Sequence, residues 1–219
     1  MTRLFRIQDG KLSPAPVRAL PREDMIEDWV EADLSLVGVA GIVIGRQVRT
    51  NHGGTIDLLV LDEDGNLVII ELKRDKTPRD VVAQALDYAS WVHGLSTADV
   101  HTLADRHLDQ TSSPMRLSDA YRARFDKGLP ETLNAAHQVL IVASQLDEAS
   151  KRIVEYLSEV HDIGINVSFF NVFGDDGAEW LTADTLLDQE EVKDRAVKRT
   201  RAPWTGYYYV TGGPEEMRP

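Results

Sequence analysis

The stretch GTIDLLVLDEDGNLVIIELKRD (Gly54–Asp75) decides the fold. Two apolar runs rich in β-branched residues flank Asp62-Glu63-Asp64-Gly65-Asn66, so the segment predicts a β-hairpin closed by a polar turn. Each run carries charge where apolar side chains are expected: Asp57 in the first, Glu71 and Lys73 in the second. Side chains alternate along a strand, so Glu71 and Lys73 share one face while Ile70 and Leu72 take the other. Antiparallel pairing across the turn brings Asp57 near Glu71. Two carboxylates at that range repel and shift each other's pKa values, and burying them unpaired is expensive. A divalent cation removes that penalty, and hard oxygen ligands suit Mg²⁺ or Mn²⁺. Lys73 beside them is placed to orient a water or to stabilise charge on a phosphoryl group.

Working outward, Gly38–Gly45 (GVAGIVIG) begins a strand that continues through RQVRT, and the turn NHGG (Asn51–Gly54) leads it into the first hairpin strand. The resulting three-stranded meander is apolar on both faces at its centre, which implies a sheet covered on both sides. A helix follows, with Thr77 as N-cap, Pro78 at the first helical position and Asp80 closing a capping box; it ends before Gly94. Gln84 and Tyr88 lie four apart on that helix, on one face, and a helix packed beside the hairpin aims both at the same site.

Before the meander, Met25, Ile26, Trp29 and Val30 form one helical stripe, with Trp29 and Trp91 expected in the core. Beyond a polar region of scattered helical signals at 96–136 come a buried strand (Gln138–Ser144), an amphipathic helix (Leu146–Val160) and another strand (Gly164–Phe173). That β-α-β run predicts a parallel crossover. At the N-terminus RLFRI reads as a short strand entering a turn, and Ser13–Pro16 (SPAP) as a stiff connector. After Gly174 the chain turns polar, with a basic segment Lys193–Arg201 and an aromatic strand Gly206–Val210.

The chain has 219 residues, 42% hydrophobic and 27% charged, with a formal net charge of -12 and a pI of about 4.9. Such an acidic balance excludes a uniformly basic nucleic-acid binder, but not an enzyme with a local basic groove. With 0 cysteines, disulfides and thiolate zinc sites are excluded. No apolar run approaches the roughly 20 residues of a membrane span, and MTRLFRIQDGKL lacks the apolar core of a signal peptide, so a cytoplasmic protein is expected.

In order and spacing, Gly54-Thr55-Ile56-Asp57, Glu71-Leu72-Lys73 and Gln84-Ala85-Leu86-Asp87-Tyr88 resemble the patterns G-x-x-D, E-x-K and Q-x-x-x-Y. Together they resemble the PD-(D/E)XK nuclease superfamily, in the branch with RecB-type and NucS-like prokaryotic endonuclease domains. The likeness covers about Pro21 to Phe173 and is densest over Gly45–Val92. It implies an α/β (or α+β) restriction-endonuclease-like fold, a mixed central β-sheet flanked by helices. The chain then divides into an N-terminal strand and connector (1–20), the nuclease-like domain (21–174) and a C-terminal extension (175–219), a linker to a further domain being one reading of the last.

By the same resemblance, Asp57 and Glu71 bind the catalytic Mg²⁺ or Mn²⁺ together with the Leu72 backbone carbonyl. Lys73 serves the attacking water, and Gln84 and Tyr88 support the site or touch a phosphate. An acidic residue of the first helix joins the metal ligands; Glu27 matches that position and Glu31 competes with it. The implied activity is hydrolysis of DNA phosphodiesters by a metal-activated water. DNA is the expected partner, and the assembly is left open between monomer and homodimer.

Bland readings stand beside these. Arg46, Arg49 and His52 lead into the Gly53-Gly54 turn and are placed to steer a phosphate backbone, or they form a solvated strand edge. Arg74 and Arg79 flank the motif as substrate contacts or as ordinary exposed arginines. Lys193–Arg201 with Trp204 and Tyr207–Tyr209 reads as a stacking surface for single strands or as solvated charge and packing. Two rival functions remain at this level. One is a non-catalytic nucleic-acid-binding module on the same fold. The other is an oligomerisation or adaptor domain in which Asp57, Glu71 and Lys73 form a buried salt-bridge cluster.

Overall fold

The computed structural model describes residues 3–74, 80–111, 114–175 and 177–201. Thr77, Pro78, Arg79, Trp204 and the stretch Gly206–Val210 lie outside the described residues.

Two short strands, β1 (Phe5–Gln8) and β2 (Lys11–Pro14), pair antiparallel apart from the main sheet, so Ser13 and Pro14 belong to a strand rather than to a connector. β3 (Val17–Arg18) then leads to α1 (Glu23–Ala32) and a 3₁₀ turn (Leu34–Val37). Gly38 caps that turn in the left-handed conformation, φ 68°, so the next strand starts at Gly41 and not at Gly38. β4 (Gly41–Arg49), β5 (Thr55–Asp62) and β6 (Leu67–Lys73) form the expected antiparallel meander.

After α2 (Asp80–His93), the polar middle region resolves into α3 (Thr97–Leu108) and α4 (Leu117–Phe125). The start of α3 is fixed by a reciprocal capping box between Ser96 and Asp99. β7 (His137–Ala143) lies parallel to β6, and β8 (Ile165–Asp175) parallel to β7 across the helix α5 (Glu148–Glu155), as the crossover pattern predicts. The amphipathic helix ends in a π-helical turn, Tyr156–Val160. Beyond Gly174 the structure adds an element with no clear sequence signal, β9 (Ala178–Thr185), antiparallel to β8. The basic segment forms the end of α6 (Gln189–Arg201), whose Val192 and Ala196 are buried. Its Lys193 and Arg195 are tied to Asp64 and Glu191.

The sheet is mixed, in the order β3-β8-β7-β6-β5-β4 with β9 also on β8, and helices flank it. Strand alternation separates two apolar layers. Leu59, Leu61, Leu67, Ile69, Val139 and Ile141 pack beneath α2, α3 and α4. Leu58, Val60, Val68, Ile70, Leu72 and Val142 pack on the other side with Ile26 and Val30 of α1. Each such side chain withdrawn fully from water contributes about 1.5–3 kcal/mol, which is why the hairpin strands tolerate no register slip. The buried stripe of α1 is Ile26, Glu27 and Val30, whereas Met25 is 42% exposed and Trp29 only half-buried. The helix is thus rotated from the purely apolar stripe, because Glu27 finds charged and amide partners on β4.

Candidate active site

Asp57 sits where β5 changes faces. Ile56 packs in the layer beneath α2, while Leu58, two residues on, packs in the α1 layer. Strict alternation would put both on one side. Opposite, on β4, Val48 pairs with Ile56 and Arg46 with Leu58, and between them Gln47 adopts the left-handed conformation, φ 51°. The pleat is broken on both strands at the same level, and the Asp57 carboxylate emerges there.

The β5–β6 register pairs Leu58 with Ile70; continued one step, it brings Asp57 alongside Glu71. Asp57 Oδ2 accepts a hydrogen bond from the Leu72 N–H at 2.7 Å, and Oδ1 accepts one from Gln47 Nε2 at 3.0 Å. Glu71 is buried. Its Oε1 lies 2.6 Å from Lys73 Nζ, and its Oε2 is buried without a hydrogen-bond partner among the described residues. Burial, then the Asp57 charge, push the Glu71 carboxyl up to about 7, against the opposing pull of Lys73. Burial also raises Asp57, with the Leu72 N–H and Gln47 holding it down. Burial alone would lower Lys73, but Glu71, Asp57 and Glu23 outweigh it and lift the ammonium above its ordinary value.

Of the two first-helix acids, Glu27 is joined to the site. Gln47 Nε2 donates to Glu27 Oε1 at 2.9 Å as well as to Asp57. Glu31 bonds to Arg46 at 2.6 Å and approaches His107 instead, with no contact to Asp57 or Glu71 among the described residues. Burial raises the Glu27 carboxyl, with Gln47 and Arg46 opposing.

Gln84 and Tyr88 stand behind the loop that delivers Asp57. The Tyr88 hydroxyl accepts from the Thr55 N–H at 3.2 Å and from Gln84 Nε2 at 2.7 Å. Tyr88 is 2% exposed, and a Cβ built on Gly54 would come within 2.4 Å of its ring. The glycine of G-x-x-D therefore lets the strand lie against the tyrosine of Q-x-x-x-Y.

The arginines divide. Arg46 turns onto α1, with Glu27, Asp28 and Glu31 at 3.3, 2.7 and 2.6 Å. Arg49 and His52 are exposed, and Arg74 is exposed with its backbone N–H bonded to Glu23 Oε1 at 2.9 Å. Two participants escaped the sequence reading. Glu23 faces the site electrostatically from the first turn of α1, acting on Asp57, Glu71 and Lys73; in sequence it resembles any acid at a helix start. Gln47 was signalled only as a second polar residue beside Arg46 inside a strand.

A hard cation fits the donor set: Glu71 Oε2 has no hydrogen-bond partner among the described residues, and Asp57 and Glu71 together carry one negative charge more than Lys73 offsets. Among the described residues no three His, Asp or Glu side chains stand close enough to hold an ion by themselves. Backbone carbonyl and solvent oxygens would have to complete the shell.

No family model matches the chain. A curated relative, "Endonuclease NucS" of Sulfolobus acidocaldarius, is 30% identical over 86 residues, 39% of this chain and 34% of that protein. The match thus spans about a third of the relative's length. Among solved structures, a repair endonuclease from Pyrococcus abyssi aligns over 68% of this chain and 47% of that one, at 18% identity and a TM-score of 0.40. An EndoMS–dsDNA complex aligns over 63% and 43%, at 18% identity and a TM-score of 0.37. Over those 86 residues the chain is similar in sequence to NucS.

Proposed function

We propose that this chain is a Mg²⁺- or Mn²⁺-dependent nuclease that hydrolyses DNA phosphodiesters at the Asp57–Glu71–Lys73 cluster. The observation that carries the reading is Glu71: a buried carboxylate beside a second one, with one oxygen on Lys73 and the other unpartnered among the described residues. Similarity to a protein named as an endonuclease supports it.

Asp57, Glu71 and the Leu72 carbonyl would hold the ion, which when bound supplies electrostatic stabilisation at a phosphoryl group and a water of lowered pKa. The chain's own residues do the rest. Lys73, kept protonated by Glu71 and Asp57, offers its free N–H groups to a phosphate oxygen or an incoming water. The Leu72 N–H and Gln47 amide fix both oxygens of Asp57. The Tyr88 hydroxyl, itself fixed by Gln84 Nε2, holds the Thr55 N–H and through it the start of β5. Arg49 and Arg74, both exposed, are the arginines proposed to meet the DNA backbone.

The test is cleavage of labelled single-stranded, duplex and branched DNA by wild type, Glu71→Ala and Lys73→Ala, with and without Mg²⁺ or Mn²⁺. Ion-dependent cutting by wild type alone supports the proposal. No cutting, with no ion-induced rise in melting temperature, sinks it.

A second reading, a salt-bridged scaffold, is favoured by one observation: both Asp57 oxygens and one Glu71 oxygen are already satisfied within the protein. Under it Lys73→Met is neutral or stabilising, and divalent ions leave the melting temperature unchanged.

A further inference from the structure

We propose that Gln47 is a positioning residue of this site. Its left-handed backbone turns the side chain out of the strand's alternation, so that one amide nitrogen ties Asp57 to Glu27 and sets the Asp57 carboxylate for an ion shared with Glu71. The proposal rests on the metal-dependent reading above.

Among the described residues, the non-glycine positions with positive φ are Asp9, Gln47, Asp126, Asn134 and Asp162. Four are Asp or Asn, the residues that enter this region most readily, and all four lie outside strands and helices. Gln47 is neither Asp nor Asn, and it lies within β4, two residues before the strand ends. A glycine or asparagine would satisfy the backbone there with less strain, so the backbone alone does not account for glutamine.

The side chain does. Arg46 and Gln47 are successive residues of one strand and should point to opposite faces. Yet both reach Glu27: Arg46 Nη2 at 3.3 Å and Gln47 Nε2 at 2.9 Å. The positive φ at Gln47 is what breaks the alternation. Gly45 pairs with Leu59 and Val48, three residues on, with Ile56, yet both partners pack beneath α2, and the turned side chain delivers its amide to the carboxylates. The same Nε2 donates to Asp57 Oδ1 at 3.0 Å. Both neighbours are carboxylate oxygens, pure acceptors, so the amide nitrogen and not its oxygen must face them.

Packing gives no rival reason for glutamine, because the residue is exposed. Glutamine has the two N–H groups needed to bridge the pair and adds no charge between them. It also keeps Glu27 one hydrogen bond away from Asp57, so Glu27 acts on the ion through the amide and not as a ligand.

Two variants separate the parts. Gln47→Met keeps length and backbone strain but loses the donors; Gln47→Gly loses the donors and relieves the strain. The measurements are Mn²⁺ affinity by calorimetry, melting temperature without metal, and DNA cleavage. Both variants should bind Mn²⁺ at least about 10-fold more weakly, the usual effect of losing a partner of a metal ligand. Gln47→Gly should nevertheless melt at or above wild type, and Gln47→Met at or below it.

If Gln47→Met binds Mn²⁺ as wild type does, the proposal is wrong. If both variants lose affinity and melting temperature together, Gln47 only holds the fold, and the proposal falls too. Failure of wild type to bind Mn²⁺ at all overturns the metal reading and this proposal with it, an outcome distinct from the first two.

Discussion

Lys73 Nζ stands 2.6 Å from one oxygen of the buried Glu71 carboxylate, and the other oxygen faces no hydrogen-bond donor among the described residues. One cation thus neutralises half of a two-carboxylate site. Burial of Glu71, and then the remaining charge of Asp57, raise the Glu71 pKa, and that makes the site measurable without any substrate.

With its folded-state pKa pushed to about 7 from 4.5, Glu71 holds a proton more tightly in the native protein than in the unfolded chain. Its favourable contribution is complete below about pH 4.5 and is lost as pH rises through about 7. Glu71→Gln cannot ionise, so in the absence of divalent ions it should be more stable than wild type at pH 8, by about 1–2 kcal/mol, and no more stable at pH 5. Chemical denaturation at the two pH values checks this. An advantage equal at both would show that Glu71 is not the titrating group.

An ion on Asp57 and Glu71 must displace that proton. Mn²⁺ or Mg²⁺ should therefore raise the melting temperature of wild type more at pH 8 than at pH 5, and should not raise that of Glu71→Gln. At 100 times the dissociation constant the gain is about 2.7 kcal/mol. A thermal scan with and without EDTA reads it, and an ion effect that survives in Glu71→Gln would move the binding site elsewhere.

The hairpin was legible from two β-branched runs flanking the polar turn Asp62–Asn66, and its carboxylates because Asp57 and Glu71 place charge inside those apolar runs. Gln84 and Tyr88 were legible as a four-residue helical spacing; Tyr88 accepts the Thr55 N–H at the start of β5, and Gln84 reaches that point only through the Tyr88 hydroxyl. The face switch at Asp57 was not legible. It depends on a left-handed Gln47, and no residue type announces that conformation as glycine does. The commitment of Arg46 to three acids of α1 was hidden for a different reason. It requires knowing how α1 is rotated, and burial of Glu27 set that rotation against the apolar stripe. β9 escaped because its side chains are nearly all exposed or half-buried, so it carries no strong hydrophobic period.

Gly54 and Tyr88 form a steric pair. A methyl group at Gly54 would lie 2.4 Å from the Tyr88 ring and 3.2 Å from its hydroxyl, a contact that must be relieved by moving β5 or the ring. Gly54→Ala should cost about 1–3 kcal/mol and lower cleavage more than stability requires, since Asp57 rides on the same strand. Tyr88→Phe keeps the ring but strands the Thr55 N–H, at about 1–2 kcal/mol. Tyr88→Leu should suppress the penalty of Gly54→Ala, and a double-mutant cycle would show that coupling. Additive effects would place the clash somewhere other than the ring.

Arg46 separates structure from substrate contact. Its guanidinium serves Glu27, which is 6% exposed, together with Asp28 and Glu31. Arg46→Leu leaves Glu27 without its cation, and the Gln47 amide is too weak a partner to replace it. The loss should be about 2–3 kcal/mol near neutral pH. Because the lone carboxylate can protonate, that loss should shrink toward pH 5. DNA affinity per folded molecule should stay close to wild type, since the side chain is already spent on α1. Urea melts paired with a fluorescence-anisotropy titration decide between the roles. Weakened DNA binding at unchanged stability would make Arg46 a backbone contact after all.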